Sequence, residues 1–441
     1  MYKFSQYLII VFLAIISCRN ESNEPQLTNN QNESFNDSLF ALIKETYFWE
    51  SSLPPKTSFF TSDVITPADI VLKARTYSPK NPATDKNIDK WSTIISLADW
   101  SNSVEGKFDD FGCIFRFYSK DDLRIALVQP NSVAGQAGLR RGSKVYSING
   151  IPANDTYGVQ LETEIGSQRT IRLSLDYNGK DSLVTLNRTL YDFNPIISSN
   201  LFRTVNHTIG YLHIQSFMSS TVRVFKEKIT GFQKQNIDAL IIDLRYNGGG
   251  LISAMEELAN VLAPASAQFK VMYSIKHNEN YKEFNANTLF AGSDIKLNVK
   301  KIYFITTRNT ASASEMLIHS LSPYMNIKKV GKPTYGKLMG MYTIPLHRYT
   351  LIPVSFMVFN SLGQHDNFMG LNPDIYQSDD LLNEFNEKEE CIKAIIADIE
   401  ISENGKGATT LSHKKNTLSD DYHLLGTSTV FNGAYKTRKS K

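Results

Sequence analysis

One apolar segment that runs into three glycines constrains the fold of this chain more than any other feature. Residues Ile237–Asp243 form an almost continuous apolar run, which is typical of a strand covered on both faces of a sheet. The run continues through a glycine-rich turn into the apolar segment Leu251–Leu262, which we predict to be a helix. Because strand-like and helix-like segments alternate over residues 191–400, we expect an α/β layered domain there.

The glycine-rich turn predicts a site for negative charge. Gly248, Gly249 and Gly250 allow a tight turn and leave backbone N–H groups exposed at the start of a helix. Such groups stabilise a phosphate or the oxyanion of an acyl-transfer reaction. A phosphate loop is disfavoured because no Gly-Lys-Ser/Thr sequence follows. A purely structural strand-to-helix turn remains the alternative from this motif alone.

A second segment, Thr310–Met316, predicts a serine in an unusual position. It directly follows the strand-like residues Lys301–Thr306, so its serines lie where a strand turns into a helix. A nucleophilic serine needs this placement, because its hydroxyl is exposed beside backbone N–H groups that helical bonds do not use. Serine at a helix start is also a common capping residue, so the segment alone leaves both roles open.

A serine nucleophile needs a base, and the histidines offer none by position. His213 lies in a predicted strand and His319 lies within a predicted helix. Lys337 is the better candidate, because the strand-like Ile327–Val330 and a turn can return it to the neighbourhood of Ser312. Such a lysine must be neutral, which burial achieves by lowering the ammonium pKa from ~10.4 towards ~7–8. The alternative is a solvated surface lysine.

Residues 105–190 change to a period of two, which predicts a small β domain. Asn178 and Gly179 mark a hairpin, and Pro130–Gly150 resembles the PDZ signature, with Ser143 where an acidic residue is usual. The resemblance implies that an extended peptide adds a strand to the sheet edge and that backbone N–H groups capture its terminal carboxylate. A β domain without a ligand is the alternative. The loop that would hold the carboxylate comprises Phe111, Gly112, Cys113 and Ile114.

Taken in order behind the PDZ-like segment, three motifs resemble peptidase family S41, the carboxyl-terminal processing peptidases. They are Asp243–Gly250, Ser312–Glu315 and Gly336–Lys337, and the resemblance extends from about Tyr47 to Asp374. It implies a multidomain α/β (α+β) protein with a small N-terminal helical domain, a PDZ-like β domain and an α/β core of the ClpP/crotonase-like type.

The same resemblance implies a Ser/Lys dyad, with Ser312 as nucleophile and Lys337 as general base. Ser314 is the competing serine, and its spacing to Lys337 disfavours it. Many family members carry a glutamine where this chain has Met341, so either another group orients the lysine or the activity is weak. The residues carried over for supporting roles are Glu315 beside the dyad and, for the oxyanion hole, Ala313 with Gly248 or Gly249.

The N-terminus predicts export and a lipid anchor. Residues 1–17 resemble a bacterial lipoprotein signal peptide, and Cys18 is the residue that would be lipidated. An ordinary signal peptide with a chance cysteine is the alternative. We therefore expect a location in the cell envelope, in the periplasm or at the cell surface, on a bacterial membrane. The predicted parts are a flexible tether at 18–36, a helical domain at 37–104, a β domain at 105–190, a peptidase domain at 191–400 and a polar, disordered tail at 401–441.

Composition argues against a nucleic-acid-binding protein and against a fold built on disulfides or zinc. The 47 basic and 44 acidic side chains give a formal net charge of +3, which argues against a nucleic-acid-binding protein. Three cysteines form neither a disulfide framework nor a zinc motif, and we expect no metal or other cofactor. We predict a serine endopeptidase that acts on unfolded or C-terminally tagged proteins, and leave the oligomeric state open. The alternatives are an inactive PDZ scaffold and a protein that binds apolar ligands.

Overall fold

The computed structural model describes residues 29–60, 66–81, 84–295, 297, 299–365, 368–403, 424–426 and 433–438. The predicted signal peptide and the lipidation of Cys18 lie outside these residues. Within the described ranges, no helix has both the length and the apolar character needed to cross a bilayer.

The helices are α1 (Asn29–Thr46), α2 (Lys56–Phe59), α3 (Pro67–Arg75), α4 (Leu97–Glu105), α5 (Val133–Gln136), α6 (Gly158–Ser167), α7 (Ser219–Lys234), α8 (Ile252–Leu262), α9 (Ala313–Leu321) and α10 (Glu390–Glu403). The strands of the N-terminal half are β1 (Thr93–Ser96), β2 (Lys107–Asp110), β3 (Cys113–Ser119), β4 (Asp122–Val128), β5 (Lys144–Ile148), β6 (Ile151–Pro152), β7 (Thr170–Tyr177), β8 (Lys180–Asn187), β9 (Thr189–Asp192), β10 (Ile196–Arg203) and β11 (Thr208–Ile214). The remaining strands are β12 (Ala239–Asp243), β13 (Gly250–Leu251), β14 (Val271–His277), β15 (Ala286–Leu289), β16 (Lys301–Thr306), β17 (Ile327–Gly331), β18 (Met339–Leu346), β19 (Tyr349–Ile352), β20 (Val354–Phe359), β21 (Ile375–Tyr376), β22 (Leu424–Leu425) and β23 (Ala434–Thr437).

A six-stranded sheet forms the centre of the molecule, in the order β10-β11-β12-β16-β17-β21. All neighbouring pairs are parallel except β10 and β11. Successive residues of β12 face opposite sides: Leu240 and Ile242 pack against α7, α8 and α9, whereas Ala239 and Ile241 pack against α10. The predicted strand covered on both faces is thus confirmed. The glycine-rich turn follows its carboxyl end.

The second large sheet joins the N-terminal region to this core. Its strands follow the order β1-β19-β18-β20-β14-β15, and β13 and β23 attach beside β18. The helices predicted for residues 37–104 are present, but they share one hydrophobic core with the α/β segment that follows the β domain and do not form a separate unit. Helix α1 begins inside the predicted tether, because Phe35 and Leu39 are buried and the Phe35 ring packs on Tyr349.

Residues 105–190 form most of a small β domain with its own core. Its seven-stranded sheet has the order β22-β3-β4-β5-β7-β8, with β6 on β5, and α6 contributes the buried Leu161 and Ile165. The hairpin predicted at Asn178 and Gly179 is confirmed, since both residues have positive φ and Tyr177 pairs with Lys180.

Part of the predicted disordered tail is structured, and that prediction is wrong for these residues. Residues 401–403 end α10, whereas β22 pairs with β3 and β23 pairs with β13 and β18. The polar composition of the tail concealed these strands, because their order comes from pairing with distant strands and not from local apolar character.

A buried charge cluster joins the β domain to the core. Arg245 contacts Asp243 at 2.6 Å, Asp379 at 2.8 Å and Glu389 at 2.6 Å. From the β domain, Arg116 and Arg141 each reach Asp379 at 2.8 Å. Burial alone raises the pKa of Asp379, but the three guanidinium groups outweigh it and hold that pKa well below its usual range.

We predict that Asp379→Asn lowers the free energy of unfolding by about 3–5 kcal/mol, because it removes the carboxylate shared by the buried Arg141 and Arg245 and the partly exposed Arg116. Denaturant unfolding at neutral pH measures the change. Asp374→Asn is the control, since Asp374 forms a partly exposed pair with Lys329 at 2.9 Å, and its loss costs no more than about 1 kcal/mol. Equal effects of the two substitutions would contradict the structural role of the cluster.

Candidate active site

Ser312 occupies a strained turn between β16 and α9. Its φ is 60° and its ψ is −112°, a region that a residue with a side chain rarely adopts. The residue is fully buried, and its hydroxyl donates to the carbonyl oxygen of Met339 at 3.4 Å. The predicted position at a strand-to-helix turn is therefore the observed one, and the hydroxyl faces the segment that follows Lys337.

The Glu315 carboxylate joins the serine segment to the lysine segment. Its Oε2 atom accepts hydrogen bonds from the backbone N–H groups of both Ser312 and Lys337, each at 2.8 Å. Its Oε1 atom accepts from the Thr334 hydroxyl at 2.5 Å and from the Gly336 N–H at 2.7 Å. The side chain is fully buried, so these bonds offset the cost of removing a carboxylate from water. One oxygen atom thus sets the spacing between the two segments.

Lys337 is buried, with a side chain that faces groups from the N-terminal region. Burial lowers the pKa of its ammonium group to about 7, and the negative charges of Asp89 and Glu315 oppose that change. Its Nζ atom lies 5.0 Å from the centre of the Trp91 ring. The sequence pattern identifies neither Asp89 nor Trp91 as a neighbour of this lysine.

The glycine-rich turn lies against the start of α9. The Asn247 side chain holds it, because its Oδ1 accepts from the Gly249 N–H at 2.9 Å and its Nδ2 donates to Ile214. A methyl group built at Gly249 would lie 3.2 Å from the Ala313 nitrogen, so the two predicted oxyanion segments are adjacent. Gly248 lines the cleft that also contains Lys337. Of the two glycines proposed for the oxyanion hole, the geometry favours Gly248.

The competing serine and Met341 both have structural partners. The Ser314 hydroxyl donates to the carbonyl oxygen of Asn247 at 3.1 Å, which fixes the glycine-rich turn against α9. Met341 is buried in β18, where it pairs with Val354 and Tyr435. The two histidines considered as bases, His213 and His319, each contact a backbone carbonyl oxygen through Nε2.

A cleft connects the predicted peptide loop of the β domain with the lysine. It is lined by Gly112, Cys113 and Ile114 at one end and by Gly248, Tyr335 and Lys337 at the other. Phe111 is buried behind the loop, beneath the guanidinium group of Arg188 at 5.0 Å. The predicted peptide loop and Lys337 therefore border the same cleft.

Gly112 allows the tight bend of the predicted peptide loop, and its backbone N–H faces the Asp110 carboxylate. Its φ is 69°, and a methyl group built there would lie 1.9 Å from Cβ of Ser132, so only glycine fits. Its N–H donates to Oδ1 of Asp110 at 2.6 Å. Burial raises the pKa of Asp110, although bonds from the Tyr191 hydroxyl and Gly112 oppose that change. One N–H that a terminal carboxylate would use is thus already bonded.

Within the described ranges, no group of three or more His, Cys, Asp or Glu side chains is placed to hold a metal ion.

We predict that Glu315→Gln destabilises the fold, because an amide oxygen replaces one carboxylate oxygen and the new NH₂ group faces N–H donors. Each buried donor left without a partner costs about 1–3 kcal/mol, which denaturant unfolding would detect. Ser314→Ala is the comparison, since it removes a single neutral hydrogen bond worth about 1 kcal/mol. A smaller effect for Glu315→Gln than for Ser314→Ala would contradict the bridging role.

Several known proteins are similar to this chain in sequence. Residues 208–377 match the family model for peptidase family S41. A carboxyl-terminal-processing protease of Synechocystis sp. is 26% identical over 262 residues, which cover 58% of this chain and 58% of that protein. The carboxy-terminal processing protease CtpB of Bacillus subtilis is 24% identical over 253 residues, covering 56% of this chain and 50% of CtpB. The chain therefore spans between half and three fifths of these curated relatives.

Solved structures show the same fold. A Bacteroides fragilis protein assigned to the S41 proteases superposes with a TM-score of 0.64 at 20% identity, covering 86% of this chain and 98% of that one. The photosystem II D1 C-terminal processing protease superposes with a TM-score of 0.50 at 15% identity, covering 80% and 94%. The predicted fold class is therefore confirmed, and the predicted resemblance to family S41 is confirmed by the family match over residues 208–377.

Proposed function

We propose that this protein is a serine endopeptidase with a Ser312/Lys337 dyad that hydrolyses peptide bonds in protein substrates. The observation that carries the proposal is the shared Glu315 oxygen, which holds the backbones of the serine and the lysine at one point. Strained backbone such as that of Ser312 is typical of functional sites, and the burial of Lys337 favours the neutral amine that a general base requires.

The proposed reaction uses Lys337 first as a base and then as an acid. The neutral amine accepts the proton of the Ser312 hydroxyl while the oxygen attacks the substrate carbonyl carbon. The N–H groups of Ala313 and Gly248 stabilise the oxyanion that forms. The ammonium group then protonates the leaving amine, and a water molecule hydrolyses the acyl-enzyme with Lys337 again as base.

The low pKa of Lys337 makes this chemistry possible near neutral pH. At a pKa of about 7, half of the lysine is neutral at pH 7, whereas a solvated lysine would be almost entirely charged. Asp89 favours the ammonium form and thereby stabilises the charge that develops when the serine loses its proton. We propose that Asp89 and Trp91 orient this lysine in place of the glutamine that is absent at Met341.

Substrate capture is the proposed role of the β domain. An extended peptide would pair with the edge of β3 and pass along the cleft towards Ser312. Because Asp110 directly precedes the predicted carboxylate loop and its carboxylate accepts the Gly112 N–H, we expect internal segments of unfolded chains to bind as well as free C-termini. We further propose a location in the cell envelope through a lipid on Cys18.

The first test compares Ser312→Ala with Ser314→Ala on an unstructured protein substrate. We expect Ser312→Ala to lower kcat by about 10⁴-fold or more, because it removes the nucleophile. Ser314→Ala retains activity within about tenfold, because it loses only the bond to Asn247. Comparable activity of Ser312→Ala and the wild type would disprove the assignment.

The second test is the pH dependence of kcat. Activity rises with pH through about 7, because only the neutral form of Lys337 accepts a proton. Asp89→Asn removes a charge that raises the lysine pKa, so we expect the acidic limb of the profile to move to lower pH. Asp85→Asn, at an exposed pair with Lys80, is the control and leaves the limb unchanged. A limb that moves to higher pH in Asp89→Asn would contradict this arrangement.

A further inference from the structure

Two strands from the C-terminal part of the chain lie near the proposed substrate path, and one of them occupies the sheet edge that a substrate is proposed to use. Strand β22 pairs with β3 at the edge of the β domain, and β23 lies between β13 and β18 beside the glycine-rich turn. Neither pairing was anticipated from the sequence, which predicted disorder for residues 401–441.

The first strand occupies the edge of the β domain. It runs antiparallel to β3, with Leu424 opposite Arg116 and Leu425 opposite Phe115. Leu425 is buried in the core of the β domain, and a methyl group built at Gly426 would lie 2.9 Å from the Cys113 carbonyl oxygen. Gly426 also lines the cleft to Lys337. This antiparallel addition to a sheet edge is the mode by which such domains bind extended peptides.

The second strand lies over the predicted oxyanion turn. The carbonyl oxygen of Gly433 accepts a hydrogen bond from the Gly250 N–H, and that oxygen lies 2.3 Å from a methyl group built at Gly249. Ala434 then pairs in parallel with Gly250, and Tyr435 pairs with Met341. Since Gly249 lies against the start of α9, the backbone of this strand runs beside the candidate nucleophile.

Side chains fix the second strand in this position. Ala434 is fully buried, and the Tyr435 ring packs edge-on against Trp100 at 5.0 Å. At the end of the strand, Arg438 donates to the Tyr281 hydroxyl at 2.7 Å and pairs with Glu45 at 2.9 Å. Glu45 belongs to α1 and Tyr281 lies between β14 and β15, so groups from the N-terminal and core parts of the fold both hold the end of the strand.

We infer that strands β22 and β23 are built-in peptide ligands of the protein's own substrate path, and that they compete with substrates for the β3 edge and for the gap between β13 and β18. The inference rests on the proposed endopeptidase function. It also assigns the substrate backbone a place: an extended chain pairs with β13 and β18 and presents its carbonyl to the glycine-rich turn. Main-chain pairing tolerates many side chains, which suits a peptidase for unfolded proteins.

Competition is effective because the ligand is tethered. A segment linked through a short connection has an effective concentration on the order of millimolar, so a free substrate must bind well to displace it. The segment is linked to α10, which ends at Glu403, through residues 404–423. Release of residues 424–438 therefore lowers KM and leaves the chemistry of Ser312 unchanged.

The test compares three chains on an unstructured protein substrate. One ends after Glu403, the second carries Ala434→Glu, which places a charge at a fully buried position, and the third carries Thr437→Glu in the exposed part of the same strand. We expect the first two to lower KM by about tenfold or more with kcat unchanged. We expect Thr437→Glu to match the wild type. A synthetic peptide of residues 424–438, added to the truncated chain, restores a high KM by competition.

Two results would overturn the inference. If the truncated and Ala434→Glu chains fold cooperatively but keep the wild-type KM, the segment does not compete with substrate. If both lose their fold, the two strands are structural parts of the molecule and not a ligand.

Failure of the proposed function itself is recognised separately. The truncated chain with Ser312→Ala is titrated with the labelled 424–438 peptide, and binding is followed by fluorescence anisotropy. Binding without turnover in any variant would contradict the peptidase assignment while supporting the peptide site. Absence of binding, with turnover intact, would contradict the site alone.

Discussion

The Glu315 carboxylate is the interaction on which the candidate site depends. A carboxylate removed from water is costly unless its lone pairs are satisfied, and here four donors satisfy them. Two of those donors are the backbone N–H groups of Ser312 and Lys337, which come from different segments. The strained serine turn, the buried lysine and the start of α9 are therefore held together by one side chain at the end of the central sheet.

The sequence predicted the local parts of this site well. The apolar strand before Gly248, the serine at a strand-to-helix turn and the hairpin at Asn178 follow from short-range rules on glycine, periodicity and turn geometry. It could not predict Asp89 and Trp91 beside Lys337, because they reach the lysine from more than two hundred residues away. Nor could it predict β22 and β23, whose strand structure comes from long-range pairing of a polar tail.

Hydrogen bonds join the β domain to the segment that precedes the glycine-rich turn. Arg141 of the β domain donates to the Tyr246 hydroxyl at 3.0 Å, and Tyr246 precedes the glycine-rich turn by two residues. Both side chains also contact Asp379, which the guanidinium groups keep ionised. The β domain and the candidate active site are thus linked through the side chains around Asp379, and a single cleft borders both the predicted peptide loop and Lys337.

The central claim is that a neutral Lys337 activates Ser312, and the most direct measurement is the rate of covalent labelling by a fluorophosphonate between pH 5 and 9. The account predicts that mass spectrometry locates the label on Ser312 and that the rate rises with a midpoint near 7. It predicts a loss of about a hundredfold in Lys337→Met, because the base is absent. A label on Ser314, or a pH dependence that survives in Lys337→Met, would contradict the account.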